Sequence, residues 1–342
     1  MYEPFAPRQT RLTHPYNTLT ESHASQPPRN FAARNIGPDL LFAAATKLVS
    51  QDVGDVRTAA KRLINSAPKF GIDLKLLWGV PDGAGSLRQV CLAVPGAGRT
   101  STIFLSKPES GRSKAERIRD RVECLRLACL DLSSRFGDRV QVAQALPTIN
   151  DEEEIQALAE AGFTRVGNLT CLRRESGPIE DAPLVLPEGY SLRRFESLPR
   201  AEELLLSALE RSYEETLDCP ELCGLRDSRD ILESHRATGK FDGRLWWLLM
   251  KGEEAHGCVL ISPIPDERRY DLVYIGLAIT ARGKGLARKI LVHAMREAES
   301  IHGDWALTCA VDDRNIAAGR LYESLGFRAF AQHCAFVRKI AT

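Results

Sequence analysis

Two glycines lie among four basic residues directly in front of a stretch with helical periodicity. The glycines are Gly283 and Gly285, in the sequence ITARGKGLARKIL (residues 279–291). The basic residues are Arg282, Lys284, Arg288 and Lys289. The first amides of a helix lack intrahelical partners, and the helix dipole attracts anions to them. Because glycine has no side chain to keep a ligand away from the backbone, this loop is predicted to bind a diphosphate.

Two common phosphate-binding motifs do not fit the loop. A Walker loop has Gly-Lys followed by Ser or Thr, whereas Gly285 follows Lys284 here. A dinucleotide-binding fingerprint has a third glycine where Arg288 stands, and it opens a repeated βαβ unit. This loop instead follows three consecutive predicted strands. The spacing therefore argues against a nucleoside triphosphate and against a dinucleotide.

A second group of residues follows about one helix and one strand later. Asn315, Ala318 and Tyr322 are spaced as i, i+3 and i+7, so they share one stripe of a helix predicted over residues 315–325. That stripe can face a ligand held by the glycine loop. The alternative is that Tyr322 is a core aromatic residue and Asn315 a helix cap.

Together, the two motifs resemble those of the GNAT superfamily of N-acetyltransferases. Residues 282–287 match the family's Gln/Arg-x-x-Gly-x-Gly/Ala loop, and residues 315–327 match its Asn-x-x-Ala-x-x-Leu-Tyr-x-x-x-Gly-Phe pattern. The resemblance covers most of residues 189–340 and implies acetyl-CoA as the co-substrate. The residues expected to bind it are Leu277, Ala278, Ile279, Arg282, Gly283, Lys284, Gly285, Leu286, Ala287 and Asn315.

The resemblance also implies the chemistry. A primary amine of a small molecule or peptide would attack the thioester directly, and backbone amides at Leu277 and its neighbours would stabilise the oxyanion. Tyr322 is the expected proton donor to the departing thiolate, and Asp271 is the expected general base. Asp271 is also consistent with a solvated carboxylate beside Arg268 and Arg269. A noncatalytic acyl-CoA-binding or regulatory module is the alternative function.

An acidic stretch between two predicted helices, residues 213–227, is expected to shape the acceptor pocket. Its carboxylates would attract a cationic amine. A solvated loop without a function is the alternative.

The predicted elements occur twice in the same order. Gly326-Phe327 lies 164 residues after Gly162-Phe163, and this offset also aligns the preceding strand and helix. At the loop position, the first half has residues 118–123 without a glycine. Two unrelated α/β domains with a common element order are the alternative. The predicted fold is α/β with a mixed sheet: two tandem GNAT-like domains, each a mostly antiparallel twisted sheet flanked by helices, the second intact and the first degenerate.

Composition and the family resemblance together suggest four segments. Residues 1–37 are predicted to be a disordered tail, residues 38–178 the degenerate domain, residues 179–188 a linker, and residues 189–342 the catalytic domain. Lys plus Arg (46) nearly equals Asp plus Glu (45), so neither nucleic acid nor a membrane is expected as a partner.

Cysteine usage and hydropathy bear on the compartment. The nine cysteines lie mostly in apolar runs, which favours a reducing, cytoplasmic location. Cys219 and Cys223 lack further ligands in a metal-binding pattern, so no metal is expected. No apolar stretch approaches the roughly 20 residues that span a bilayer. The oligomeric state stays open.

Overall fold

A computed structural model describes residues 32–49, 54–82, 85–179 and 183–340 of the chain. Most of the predicted tail (residues 1–31) and part of the predicted linker (residues 180–182) lie outside these described residues. Of the predicted tail, residues 34–35 pair with a later strand, and Ile36 is buried. The first half of the fold therefore begins before residue 38.

The described residues form helices and strands in the predicted order. The helices are α1 (Leu41–Val49), α2 (Val56–Ser66), α3 (Lys114–Phe136), α4 (Glu152–Glu160), α5 (Ala201–Tyr213), α6 (Ser228–Arg236), α7 (Leu286–His302) and α8 (Ile316–Ser324). The strands are β1 (Arg34–Asn35), β2 (Leu77–Pro81), β3 (Leu87–Gly96), β4 (Thr100–Leu105), β5 (Val142–Ala145), β6 (Thr164–Arg174), β7 (Tyr190–Arg194), β8 (Trp246–Lys251), β9 (Glu254–Ile264), β10 (Arg269–Leu277), β11 (Ala306–Asp312) and β12 (Arg328–Lys339).

These strands form one continuous 12-stranded sheet with the order β1-β2-β3-β4-β5-β12-β6-β11-β10-β9-β8-β7. The pairs β4–β5 and β10–β11 are parallel, and the other neighbours are antiparallel. Helices α3 and α4 cover one face of the first half, while α1 covers the other. In the second half, α7 and α8 cover one face, and α5 and α6 the other. The predicted α/β fold with a mixed sheet is confirmed.

The two halves exchange their last strands. Strand β12, from the end of the chain, lies between β5 and β6, and β6 pairs with β11 of the second half. Accordingly, Cys334 and Phe336 of β12 belong to the core of the first half, and Leu172 of β6 belongs to a core of the second. The boundary predicted at residues 179–188 thus separates the halves in sequence, but their sheets interlock.

The register of the central strand pair supports an internal duplication. Leu169 of β6 lies opposite His333 of β12, and these two residues are 164 positions apart in sequence. That separation equals the offset between the two Gly-Phe pairs. At this pair a residue faces its own equivalent. The flanking pairs, Asn168 with Cys334 and Thr170 with Gln332, are equivalent to each other, as a local two-fold axis between duplicated halves requires.

Helix α7 shows how the sequence pattern positions the glycine loop. Its apolar residues recur at helical spacing, and they pack onto the sheet. The buried residues are Leu286, Ile290, Leu291, Val292, Ala294, Met295 and Ala298. Since Gly285 occupies the N-cap position, this packing fixes the first turn of the helix beside the end of β10.

Candidate active site

A cleft of about 440 Å³ opens in the second half of the molecule. Its walls are the end of β10, the start of α7, one face of α8, and the segment that follows α5. We call that segment, residues 214–227, the covering loop. The cleft therefore brings together both sequence motifs and the acidic stretch.

Strand β10 presents an open edge to the cleft. It pairs with β11 only over residues 269–271, and a bulge follows between Leu272 and Tyr274. Beyond that point, no described strand pairs with this edge of β10. The amide of Ala278 donates to the carbonyl of His256 on the opposite side at 2.8 Å. Because successive amides of a strand alternate in direction, the Leu277 N–H points to the open edge.

The glycine loop offers a row of unused donors. Among the described residues, the backbone amides of residues 283–287 have no hydrogen-bond partner. Gly283 and Gly285 have φ angles of 74° and 69°, in the left-handed region that favours glycine. A backbone of this shape at a helix N-terminus is suited to an anion with several oxygens. The loop therefore fits the predicted diphosphate.

Most of the basic side chains of the loop point elsewhere. Lys284 donates to the carbonyl of Thr280 at 2.7 Å, and Lys289 donates to that of Val185 at 2.7 Å. Arg288 lines the cleft and donates to Ser324 Oγ at 2.8 Å. Anion binding here would depend mainly on the backbone.

Arg282 joins the glycine loop to the end of α5. Its Nε donates to Leu277 O at 2.9 Å. Its Nη2 donates to Ser212 O at 2.9 Å and to Glu214 O at 2.8 Å, and its Nη1 donates to Glu215 O at 3.2 Å. A guanidinium at a helix C-terminus also interacts favourably with the helix dipole. The Arg282 side chain therefore holds the start of the covering loop.

Tyr322 and Asn315 both line the cleft, as the predicted helix stripe requires. Tyr322 is 5% exposed and packs against Phe327 with ring centroids 5.4 Å apart. Its hydroxyl makes no hydrogen bond to the described residues. Burial raises the pKa of Tyr322 well above its ordinary value. The Asn315 side chain accepts a hydrogen bond from Ala318 N at 3.2 Å, so Asn315 also caps α8.

Four predicted site residues do not line the cleft: Asp271, Ala278, Ile279 and Lys284. The Asp271 carboxylate pairs with Arg269 and accepts a hydrogen bond from Thr308 at the closed end of the β10–β11 pair. The amide of Ala278 is used by β9, and Ile279 lies on the surface with 40% exposure. The expected base and three of the expected cofactor contacts therefore do not line the cleft with the other site residues.

Sequence reasoning missed several residues of the cleft wall. Tyr274 forms a hydrogen bond with Ser212 between their hydroxyls at 2.8 Å, and burial raises the pKa of Tyr274 well above its ordinary value. A Cβ on Gly276 would lie 2.5 Å from the Tyr274 hydroxyl and 2.8 Å from Ser212 Cβ. Only glycine fits there. The alternation of β10 could have placed Tyr274 and Gly276 on one face, but not opposite α5.

The covering loop is held partly by the first half. Arg226 Nη1 donates to Gly98 O at 3.2 Å, and Arg99 Nε donates to Asp230 at 2.8 Å. Ser234 Oγ donates to Ala97 O at 3.0 Å. The β3–β4 turn of the first half (residues 97–99) therefore docks on the covering loop and α6.

On its other side, the covering loop is anchored by Arg314. Arg314 pairs with Glu221 at 2.6 Å and with the buried carboxylate of Asp312 at 2.6 Å. It also donates to the carbonyl of Val166 in β6 at 2.7 Å. Asp312 in turn accepts from the amide of Cys219 at 3.0 Å. The loop is thus held between elements of both halves.

The equivalent position in the first half is closed. Helix α3 begins at Lys114, so the amides of residues 118–123 lie inside the helix and are used by helical hydrogen bonds. Arg121, 164 residues before Gly285, is 1% exposed and pairs with Asp151 at 3.1 Å. Glu154 lies 3.9 Å from the same guanidinium. Burial raises the pKa of Glu154 to about 7, and the charge of Asp151 acts in the same direction, whereas that of Arg121 lowers it.

Two further features of the described residues bear on a metal site and on a membrane-spanning helix. Asp218, Cys219 and Asp312 form a group whose ligand atoms lie within 4.8 Å of one another, but Arg314 already neutralises Asp312. Cys223 is not part of that group. Within residues 32–340 as described, no helix has both the length and the hydropathy to cross a bilayer.

The fold and the cleft define a protein with a glycine loop of unpartnered amides beside a pair of parallel strands that separate after three residues. Residues 208–327 match the model of the acetyltransferase (GNAT) family. A mycothiol acetyltransferase from Thermomonospora curvata is 32% identical over 182 residues, which cover 51% of this chain and 57% of the relative. The match thus spans little more than half the length of that curated relative.

Solved structures show the same fold over nearly the whole chain. A GCN5-related N-acetyltransferase from Sphaerobacter thermophilus aligns with a TM-score of 0.60 at 16% identity, covering 92% of this chain and 97% of that one. The glucosamine N-acetyltransferase region of a fungal multi-domain β-N-acetylglucosaminidase aligns with a TM-score of 0.55 at 13% identity, over 91% of this chain and 38% of that one. Residues 208–327 are thus similar to the GNAT acetyltransferases, and nearly the whole chain has a fold found in solved proteins of that kind.

Proposed function

We propose that this chain is an acetyl-CoA-dependent N-acetyltransferase that acts on a primary amine through the cleft in its second half. The observation that carries the proposal is that one cleft is lined by the unpartnered amides of residues 283–287, the open edge of β10 and Tyr322. Acetyl-CoA bound there would supply the activated acetyl thioester. The loop amides would bind its pyrophosphate, and the Leu277 N–H would donate to the thioester carbonyl oxygen.

Tyr322 is suited to stabilise the departing thiolate by a hydrogen bond. At reference values, a phenol near pKa ~10 gives its proton to a thiol near ~8.5 with a free-energy cost of about 2 kcal/mol. Burial raises the pKa of Tyr322 further, which increases this cost. The hydroxyl therefore donates a hydrogen bond in the cleft, and the thiolate takes its proton from water.

The acceptor would approach between the covering loop and β10. The relative from Thermomonospora curvata is named a mycothiol acetyltransferase, so the acceptor of that enzyme is one candidate amine. All nine cysteines are free thiols, which supports a reducing compartment such as the cytoplasm.

The first experiment measures acetyl-CoA binding by calorimetry and then thiol release with a panel of amines. The panel contains polyamines, amino acids, peptides, aminoglycosides and the acceptor of mycothiol acetyltransferase. Binding followed by thiol release supports the proposal. Binding without release on any amine would instead favour a noncatalytic acyl-CoA-binding module, and no binding would exclude both functions.

Gly285→Ala tests the loop. Gly252→Ala is its matched control, because Gly252 also has a positive φ (61°) and open space around its Cα, but lies in the β8–β9 turn. A non-glycine residue with left-handed backbone costs about 1–2 kcal/mol in either place. We expect Gly285→Ala to weaken acetyl-CoA binding about tenfold or more and Gly252→Ala to leave it unchanged. Equal affinities in the two variants would contradict the assigned loop.

Tyr322→Phe tests the chemistry. We expect kcat to fall about 10- to 100-fold while the acetyl-CoA dissociation constant stays within about twofold, because the hydroxyl acts only when charge develops on sulfur. An unchanged kcat would remove Tyr322 from the mechanism without affecting the binding assignment.

A further inference from the structure

Asp218 is a carboxylate in the cleft for which sequence reasoning assigned no individual role. It belongs to the covering loop and lines the same cavity as Leu277 and Tyr322. Among the described residues, Asp218 forms no ion pair with a lysine or arginine. Asp271, the base expected from sequence, is in contrast paired with Arg269 outside the cleft.

Backbone contacts hold the Asp218 side chain in place. Its Oδ1 accepts a hydrogen bond from Asp312 N at 2.9 Å. Its own amide donates to Thr216 Oγ1 at 3.1 Å. Asp312 is fixed by Arg314, as described above, so the carboxylate is anchored to the end of β11. The second oxygen, Oδ2, has no partner among the described residues.

The surroundings of Asp218 favour a cation. The Tyr322 side chain of α8 and the Tyr274 side chain of β10 line the same cleft. Both phenols lie near enough for the Asp218 charge to add to the larger effect of burial on their raised pKa. From β11, Asp312 adds a second carboxylate that Arg314 neutralises. Glu215 of the same loop also lines the cleft, whereas the Arg282 guanidinium is turned to the carbonyls of α5.

Two thiols complete the surroundings of the carboxylate. Cys219 follows it in the covering loop, and Cys309 lies on β11. Loss of hydration raises the pKa of both thiols, to about 12 for Cys219, so both are neutral at physiological pH. An unpaired carboxylate in this setting attracts an ammonium group.

We propose that Asp218 binds the ammonium group of the acceptor and takes up the proton that the amine must lose before it attacks. This inference rests on the proposed function. The amine R–NH3⁺ transfers one proton to the Asp218 carboxylate, and its free electron pair forms the N–C bond to the acetyl carbon. The C–S bond breaks, and its electron pair leaves with sulfur. The nitrogen gives up its second proton and sulfur takes up one, while the proton on Asp218 passes to water. The products are the acetamide, the thiol of CoA and one proton released to water.

The ionisation of Asp218 supports this role. Although the residue as a whole retains exposed surface, its carboxyl group is crowded in the cleft, and loss of hydration raises its pKa above the ordinary value. The hydrogen bond from the Asp312 amide and the charge of Arg314 lower this pKa and the negative charge of Asp312 raises it, but the loss of hydration is the largest effect. A higher pKa brings the carboxylate closer in proton affinity to an amine, which makes it a better base.

Asp218→Asn separates the charge from the structure. The asparagine retains an oxygen for Asp312 N, so the loop contact is preserved. Glu214→Gln is the matched control, because it removes one charge from an exposed side chain of the same loop that does not line the cleft. We expect Asp218→Asn to lower kcat/KM for the amine by about 100-fold, and Glu214→Gln by less than about threefold.

The pH profile distinguishes a base from a structural residue. The deficit of Asp218→Asn should shrink as pH rises toward the pKa of the acceptor amine, because the free amine then needs no base. Acetyl-CoA affinity should stay within about twofold of the wild-type value. A deficit that is constant across pH, or a variant that equals Glu214→Gln, would overturn the role of Asp218 while the acetyltransferase function stands. Absence of wild-type turnover on every amine would overturn both.

Discussion

Replacing Arg282 decides between two roles for the first residue of the glycine loop. The family motif suggests that this residue belongs to the diphosphate site, whereas the structure directs its guanidinium to four carbonyls, three of them at the end of α5 and the start of the covering loop. Arg282→Gln removes this link but leaves the backbone amides of residues 283–287. Lys284→Gln is the matched control, because it removes the same charge from the same loop.

The expected size of the effect of Arg282→Gln follows from how far the four hydrogen bonds of the guanidinium are buried. Two of them, to Leu277 O and Ser212 O, are partly buried, and the two others are exposed. A hydrogen bond from a charged donor contributes about 1.5–3 kcal/mol when it is removed from water. We count only the two partly buried bonds and take the low end, which amounts to about 3 kcal/mol. That figure is an upper limit for the free energy by which Arg282 favours the ordered covering loop. It corresponds to a change of about a hundredfold in the ratio of ordered to disordered loop.

The assay compares the effect of each variant on the amine KM with its effect on acetyl-CoA binding. We expect Arg282→Gln to raise the KM of the amine by about 10- to 100-fold and both glutamine variants to weaken acetyl-CoA binding by only about two- to threefold, through loss of one exposed charge. Calorimetry measures the second quantity and initial rates the first. If Arg282→Gln weakens acetyl-CoA binding far more than Lys284→Gln and leaves the amine KM unchanged, the argument from the structure is wrong.

Two further predictions concern the first half. Gly98→Ala places a Cβ 1.9 Å from Asp230 O at a φ of 68°, so we expect the β3–β4 turn to separate from α6. The melting temperature should fall and the amine KM should rise. Gly111→Ala is the control, because Gly111 has a φ of 89° and no neighbour within 4 Å, so this variant should show only the backbone strain. Equal amine KM values would contradict the docking. The pKa of Glu154, raised to about 7, lies above its unfolded value, so its stabilising contribution is present below about pH 4.5 and is lost, by up to about 3 kcal/mol, as pH rises through 7. Denaturation of Glu154→Gln and wild type at pH 5 and 8 should show the variant gaining relative stability at pH 8, and a constant difference would refute this.

Local patterns were enough to predict the elements that build the cleft. The apolar spacing of α7, the glycines before it and the stripe of Asn315 and Tyr322 on α8 are all short-range features, and each lies where its pattern requires. Asp271 was selected by its distance along the chain from the loop. Its partner Thr308 lies on β11, and the register of that strand cannot be read from the β10 sequence. The direction of the Arg282 side chain could not be predicted from the sequence either, because it donates to carbonyls about 70 residues away along the chain.

The exchange of β6 and β12 explains why the first half, which has no glycine at the equivalent loop position, is an integral part of the structure. In an isolated second half, β11 would lose the strand that covers its outer edge, and an uncovered edge invites pairing with other chains. The first half also supplies the β3–β4 turn that docks beside the covering loop and the Val166 carbonyl that accepts from Arg314. Arg121 occupies the position equivalent to Gly285, and its buried guanidinium forms an ion pair with Asp151. The physical role of that half is therefore to hold β11 and the covering loop, the two elements that position Asp218, while the glycine loop of the second half retains the free amides.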